Sequence, residues 1–266
     1  MKVVIKIGGQ SAEEKSRRRQ LARQIAELSH AGHHVVVVHG GGKALTETLQ
    51  RMGIQTEFHN GLRVTDAATR DVALMVLAGM INKQWVAEIE SQGQAAIGIC
   101  GGDGKMVTAR KLTTATANGT KKDLGFVGRP ARINTALLNM AFSKGLVPVV
   151  ASLGLSPSGE YLNINADDLA AALATAIEAD RLLYLTESGG VWDADRNLLP
   201  LVRAKDIRRM IHKGTVRDGM IPKLLSCART LRHGVHEIDI ISPDTQNSLL
   251  RTVIKRESVG TRVVRT

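Results

Sequence analysis

The chain has 266 residues, 43% hydrophobic and 23% charged, proportions that exclude disordered and fibrous proteins. Thirty-six Lys and Arg against 25 Asp and Glu leave a formal charge of +11, which suits anionic substrates, an acidic partner or nucleic acid. Three Phe, two Trp and two Tyr are poor material for stacking bases. Apolar runs such as residues 73–81 reach about half of the ~20 residues of a membrane span, and no export signal follows Met1. Two cysteines, Cys100 and Cys227, fit a reducing cytoplasm and not a disulfide framework.

In chain order, residues 2–7 read as a short buried strand. Residues 13–30 set Leu21, Ile25 and Leu28 at helical spacing. The four valines at 35–38 suit a strand covered on both faces, and 43–52 follow as a short helix. Asp66 is a good N-cap for a long apolar helix reaching about residue 91. Residues 95–100 form the next strand, turned by Gly101-Gly102-Asp103-Gly104. Residues 105–130 read as short polar strands and loops, 134–145 as a helix with a glycine stop, and 147–151 as a strand. Beyond a turn at Pro157-Ser158-Gly159 come helix 166–179, strand 181–186, helices 204–212 and 220–233, strand 235–241, helix 247–256 and strand 261–264. This alternation predicts an α/β protein with a mainly parallel, doubly covered sheet. The softest boundary lies near 160–166, giving two lobes around a cleft.

Two glycine clusters follow strands: Lys6-Ile7-Gly8-Gly9 and His39-Gly40-Gly41-Gly42. In open α/β sheets ligands sit beyond the carboxyl ends of strands. Glycines there let backbone N–H groups approach an anion. One cluster alone reads as a tight turn as well as an anion site; two at one sheet edge favour the site. Neither matches a P-loop or G-x-G-x-x-G, and H-E-x-x-H and C-x-x-C are absent. Lys223, in Gly219-Met220-Ile221-Pro222-Lys223, opens a helix, where a lysine opposes the helix dipole unless an anion is near. By itself it reads as a surface lysine. Asn163-Ile164-Asn165-Ala166-Asp167-Asp168 gathers polar side chains at a helix start and by itself reads as a cap made by Asp167.

Together these segments resemble the amino acid kinase family, almost end to end. Asn60-Gly61-Leu62-Arg63-Val64-Thr65 and Asp123-Leu124-Gly125-Phe126-Val127-Gly128 complete a set of six family motifs in the family's order. The resemblance implies an open αβα sandwich: a single domain over 1–266, with lobe 1–165 for the acyl amino acid and dimerisation and lobe 166–266 for ATP. It implies ATP-dependent phosphorylation of the side-chain carboxylate of N-acetyl-L-glutamate to N-acetyl-L-glutamyl 5-phosphate, in arginine biosynthesis. Mg²⁺ would be held mainly by the nucleotide phosphates, with no nucleic acid or membrane as partner. By position, Lys6 and Lys223 would contact the transferring phosphoryl group and Asp167 would orient both. Arg63 and Asn163 would grip the substrate's α-carboxylate and acetamido region, with Gly41 and Gly42 lining it. Gly8, Gly9, Thr186, Glu187, Gly190 and Thr215 would meet the nucleotide. A homodimer through the 66–91 helix, without arginine feedback, is expected. Arginine-inhibited hexameric relatives use an extra amino-terminal helix, and here the first strand begins at Lys2. There are two departures. Leu185-Thr186-Glu187-Ser188-Gly189-Gly190 lacks the proline of the family's L-T-D-V-P-G, and Arg217-Asp218 replaces smaller residues before Gly219.

The residue set suits that chemistry. Phosphoryl transfer needs positioning and charge neutralisation, which lysines and glycine-loop N–H groups supply. A glutamate carboxylate, with an ordinary pKa of ~4.3, is already ionised at pH 7 and needs no general base. His39 is accordingly read as structural. Two alternatives remain open at this level. The charge also suits a kinase for aminoadipate or glutamate carried on an acidic protein. A non-catalytic regulatory or nucleic-acid-binding relative would be expected to have lost Lys6, Asp167 or Lys223.

Overall fold

A computed structural model describes residues 1–8, 14–115, 121–216 and 219–266. The expectations placed on Gly9 and on Arg217-Asp218 lie outside the described residues. The chain opens with β1 (Lys2–Ile7), α1 (Lys15–His30), β2 (His34–His39) and α2 (Gly42–Arg51), then a hairpin of β3 (Phe58–His59) and β4 (Leu62–Arg63). A long helical run joins α3 (Ala67–Ala73), a π-helical stretch (Leu74–Ile81) and α4 (Asn82–Glu90). Next come β5 (Ala96–Cys100), β6 (Val107–Ala115), β7 (Lys121–Ile133), α5 (Ala136–Ser143), β8 (Val147–Ala151), β9 (Leu153–Leu155) and β10 (Tyr161–Ile164). The remainder holds α6 (Ala166–Ala176), β11 (Arg181–Leu185), β12 (Val191–Trp192), β13 (Leu198–Leu199), β14 (Leu201–Arg203) and α7 (Ile207–His212). It closes with α8 (Met220–Arg232), β15 (Glu237–Ile241), α9 (Ser248–Val253) and β16 (Thr261–Val264).

Eight strands form one sheet in the order β14-β16-β15-β11-β1-β2-β8-β5. Every pairing in it is parallel except β15 with β16. The valine run explains the layering. Successive side chains on a strand point to opposite faces, so Val36 and Val38 enter one core while Val35 and Val37 enter the other. α5, α6 and α8 cover the first face; α1, α2, α4 and α9 cover the second. Residues 105–130 depart from the reading above. β6 and β7 are long paired strands that close a small barrel with β9 and β10.

The helical run Ala67–Glu90 is long and apolar enough to cross a membrane by length and composition, more than its longest apolar run suggested. Its Val72, Val76, Trp85 and Ile89 are buried in the second core, whereas Met75 and Met80 are exposed. Asp66 caps it, accepting from Thr69 N–H at 2.7 Å.

Candidate active site

The sheet's register assembles the site. β1 pairs β2 in parallel so that Ile7 lies beside His39, and pairs β11 so that Lys6 lies beside Tyr184. Gly8, the Gly40–Gly42 turn and the loop from Thr186 therefore leave the sheet at one edge, the carboxyl edge expected to bind ligands. Strand alternation turns Lys6 to the same face as Val4, the face covered by α6 and α8. There it meets Asp167 of α6, with Lys6 Nζ 2.9 Å from Asp167 Oδ1. Lys223, in the first turn of α8, donates to Asp167 Oδ2.

One carboxylate thus sits between two ammonium groups, a net positive cluster at the sheet edge. Burial pushes the Asp167 carboxyl up, but Lys6 and Lys223 outweigh it and hold the group below the ordinary carboxylate range. The unfavourable placement of a lysine at a helix start is resolved by that anion. Asp167 is not the helix cap. Asn165 takes that role, its Oδ1 accepting from Asp167 N–H at 2.8 Å and Asp168 N–H at 3.3 Å, which leaves the Asp167 carboxylate to face the lysines.

Tyr184 completes the floor. Its ring is fully buried, the Lys223 ammonium lies 4.7 Å from the ring centre, and its hydroxyl donates to the Asp167 carbonyl at 3.4 Å. Gly8 lies close under Lys6, and a Cβ there would displace the end of the Lys6 side chain.

Beside this cluster a cleft of about 190 Å³ is lined by Gly40, Gly41, Gly42, Phe58, Arg63 and Asn163, among others. Gly41 is the N-cap of α2 and has no side chain to cap it, so the helix N-terminus opens towards the cleft with a field favourable to an anion. Space favours glycine, since a Cβ on Gly41 would crowd the ends of the Ile81 and Leu77 side chains, 2.2 Å from Ile81 Cδ1 and 2.8 Å from Leu77 Cδ2. Arg63 comes from the β3–β4 hairpin, whose turn residues Asn60 and Gly61 have φ of 49° and 77°, the geometry that favours Asn-Gly. Its guanidinium is buried, stacked 4.5 Å from the Phe58 ring centre, and Nη2 donates to Gly42 O at 3.1 Å and Thr46 Oγ1 at 2.6 Å. Nη1 is buried without a hydrogen-bond partner among the described residues. Asn163 is placed by β10, between Val127 of β7 and Leu153 of β9.

His39 is fully buried, and burial pulls its pKa down to about 4 against the opposing hydrogen bond to Gly40. It is neutral at pH 7. Asn82 Nδ2 donates to Nε2 at 3.1 Å, so Nδ1–H donates to Gly40 O at 2.9 Å. The ring anchors the glycine turn and faces no substrate, in line with the structural reading.

Thr186 and Glu187 follow β11 directly, with Thr186 N–H donating to Ile241 O at 3.0 Å. Gly190 is buried in the same loop, where a Cβ would lie 2.5 Å from Leu198 Cδ1; its glycine serves packing. Thr215 closes the turn after α7 through N–H to Met210 O, 3.0 Å, and no contact among the described residues joins it to the lysine–aspartate cluster. Sequence reading missed Thr46, Phe58, Asn165 and Tyr184. Tyr184 left a signal, being an aromatic side chain at the end of a buried strand one register step from Lys6.

An α/β sheet with glycine turns and a two-lysine, one-aspartate cluster at its carboxyl edge has the make-up that phosphoryl transfer needs, fixed positive charge around an anion site. The chain belongs to the amino acid kinase family, whose sequence model matches residues 1–242. It is 46% identical over 267 residues to the acetylglutamate kinase of Koribacter versatilis, with all of both chains covered. Among solved structures it is similar to N-acetylglutamate synthase from Neisseria gonorrhoeae complexed with coenzyme A and N-acetyl-glutamate, at TM-score 0.86 and 25% identity, spanning 100% of this chain and 59% of that one. It is also similar to the smu.665 protein of Streptococcus mutans, at TM-score 0.82 and 29% identity, covering 100% and 99%.

Proposed function

We propose that the protein phosphorylates the side-chain carboxylate of N-acetyl-L-glutamate with ATP, yielding N-acetyl-L-glutamyl 5-phosphate and ADP as a step of arginine biosynthesis in the cytoplasm. The observation that carries this reading is the adjacency of the Lys6–Asp167–Lys223 cluster to a cleft holding a buried arginine with an unpartnered nitrogen. The identity to curated acetylglutamate kinases over the whole chain supports the choice of substrate.

The mechanism follows from charge. Arg63 Nη1 and the α2 N-terminus receive the α-carboxylate, and Asn163 offers an amide donor and acceptor to the acetamido group. The far carboxylate, already ionised, faces the γ-phosphorus. Its oxygen forms the new P–O bond as the bond to the ADP oxygen breaks, with no proton to move. Lys6 and Lys223 meet the negative charge on the transferring oxygens. Asp167 holds the two ammonium groups apart and in place; it takes no proton. Gly8 and Gly9 give N–H groups to the phosphates, and Thr186, Glu187, Gly190 and Thr215 belong to the nucleotide side, with Gly190 and Thr215 acting through the shape of their loops. Mg²⁺ held by the nucleotide phosphates would supply further positive charge to them; Asp167, already matched by two cations, would be a poor ligand for it. In this reading lobe 1–165 binds the acyl amino acid and lobe 166–266 binds ATP. The exposed Met75 and Met80 on the long helix support a homodimer through that face. Hydroxylamine added during turnover tests the reaction: an acyl phosphate is trapped as the γ-hydroxamate of N-acetyl-glutamate, and ADP release with no hydroxamate would refute carboxylate phosphorylation.

A further inference from the structure

The charge of +11 is not used up by the site, and much of it is gathered on the outer side of α8. Two grooves flank that helix. One, about 680 Å³, is rimmed by Lys205, Arg208, Arg232 and Arg265, with Leu225 and Ala228 at its floor. The other, about 700 Å³, runs between α6, α8 and β7, with Arg129, Arg132 and His233 around an alanine-lined floor. Arg229 lines both and joins them. These cationic side chains are exposed. Among the described residues none of these arginines or Lys205 makes a side-chain ion pair within 4 Å, and Asp168 is the one acidic side chain lining either groove, with the terminal Thr266 also lining the first. Burial and the Asp167 charge push the Asp168 carboxyl up, and Arg229 opposes them.

Like charges gathered with few opposite charges repel, and such a patch is stabilised by an anion of matching shape. We propose that the α8 face is a docking surface for an acidic, amphipathic segment of a protein partner. Three features select that occupant. The cations are mostly arginine, whose planar fork takes carboxylates in bidentate fashion. The floors are aliphatic, so a bound chain with apolar side chains between its acids buries surface there, which a nucleic-acid backbone does not. No Phe, Trp or Tyr lines either groove, so bases would find no stacking platform. A second copy of this chain is already accounted for by the homodimer proposed through the long helix, on a different face.

The test uses the whole protein and a fluorescent Glu-Leu-Glu-Glu-Leu repeat peptide of ~20 residues, long enough to span ~30 Å as a helix, in about 0.15 M salt where loose surface attraction is screened. A Gln-for-Glu version and a DNA duplex are run beside it. Two charge-matched doubles are compared: Arg208→Glu with Arg232→Glu in the groove, and Arg19→Glu with Lys144→Glu elsewhere on the surface. The proposal predicts binding of the acidic peptide, at least ~10-fold weaker in the groove double and within ~2-fold of wild type in the other. Absence of binding, equal weakening in both doubles, equal binding of the Gln peptide or tighter binding of DNA would each overturn it. Because the readout is binding, it stands or falls separately from the kinase activity.

Discussion

Lys6 and Lys223 share one carboxylate, and each is held from a different direction: Lys6 by its strand and by the space that Gly8 leaves, Lys223 by its helix and the Tyr184 ring. In the proposed mechanism both meet charge that redistributes in the transition state, so Lys6→Ala and Lys223→Ala should lower kcat by about 10²–10³-fold, by analogy with the loss of an oxyanion donor. Steady-state kinetics check this, and near-normal turnover would remove that lysine from the mechanism. Tyr184 positions Lys223 through its ring, a contact worth up to about 2 kcal/mol where water is excluded. Tyr184→Phe should then keep kcat within a few-fold, while Tyr184→Leu should lose about 10–30-fold in kcat with KM little changed. Equal losses in both variants would point instead to the hydroxyl. His39 makes a stability prediction. Its folded pKa of about 4 lies below the ordinary 6.5, so between these values the unfolded chain binds the extra proton. Stability is therefore full above pH 6.5 and falls as pH drops towards 4, by about 3 kcal/mol in all. Urea titrations at pH 7 and pH 5 measure it, and His39→Gln should flatten the difference. The residues also show where sequence reading stops. Asn165 and Asp167 are equally good caps on paper. Which one caps α6 is decided by two lysines more than 50 positions away on either side, a tertiary fact that local preference does not contain.

At the scale of elements, the parallel strands were legible because burial on both faces writes itself as unbroken valine and leucine runs. β6 and β7 were not. β6 sets buried Val107 and Ala109 beside polar neighbours and shifts register after Thr108 and after Lys111, so the consecutive exposed Arg110 and Lys111 broke the run into an apparent loop. The π-helical stretch was equally silent, since Leu74–Ile81 is apolar or glycine throughout and has no polar periodicity to tell π from α. It carries a consequence, because Leu77 and Ile81 of that stretch press on Gly41. Gly41→Ala overfills this contact, which typically costs ~1–3 kcal/mol, and pushes the two side chains towards the cleft that Leu77 helps to line. KM for N-acetyl-L-glutamate should rise by about 10-fold or more, with KM for ATP nearly unchanged. A rise in the ATP value alone would put Gly41 on the nucleotide side.

For the whole molecule, family and reaction type were legible because six short motifs fall in one order, and the fold then converts that order into one sheet edge. The Asn60–Thr65 and Asp123–Gly128 segments, far apart in the chain, lie against each other: Thr65 N–H donates to Leu124 O at 2.9 Å, and Phe126 N–H donates to Thr65 O at 2.6 Å. This docking carries Arg63 into the cleft, where the proposed function has it grip a small free acid. A carrier-linked substrate would need an opening at the α-nitrogen. The deciding measurement is ADP release by the purified protein with ATP and Mg²⁺, given either free N-acetyl-L-glutamate or an acidic carrier protein ending in glutamate or aminoadipate. The account predicts turnover on the free compound without any carrier, abolished by Lys6→Ala. Turnover on the carrier-linked substrate with none on free N-acetyl-L-glutamate would contradict it.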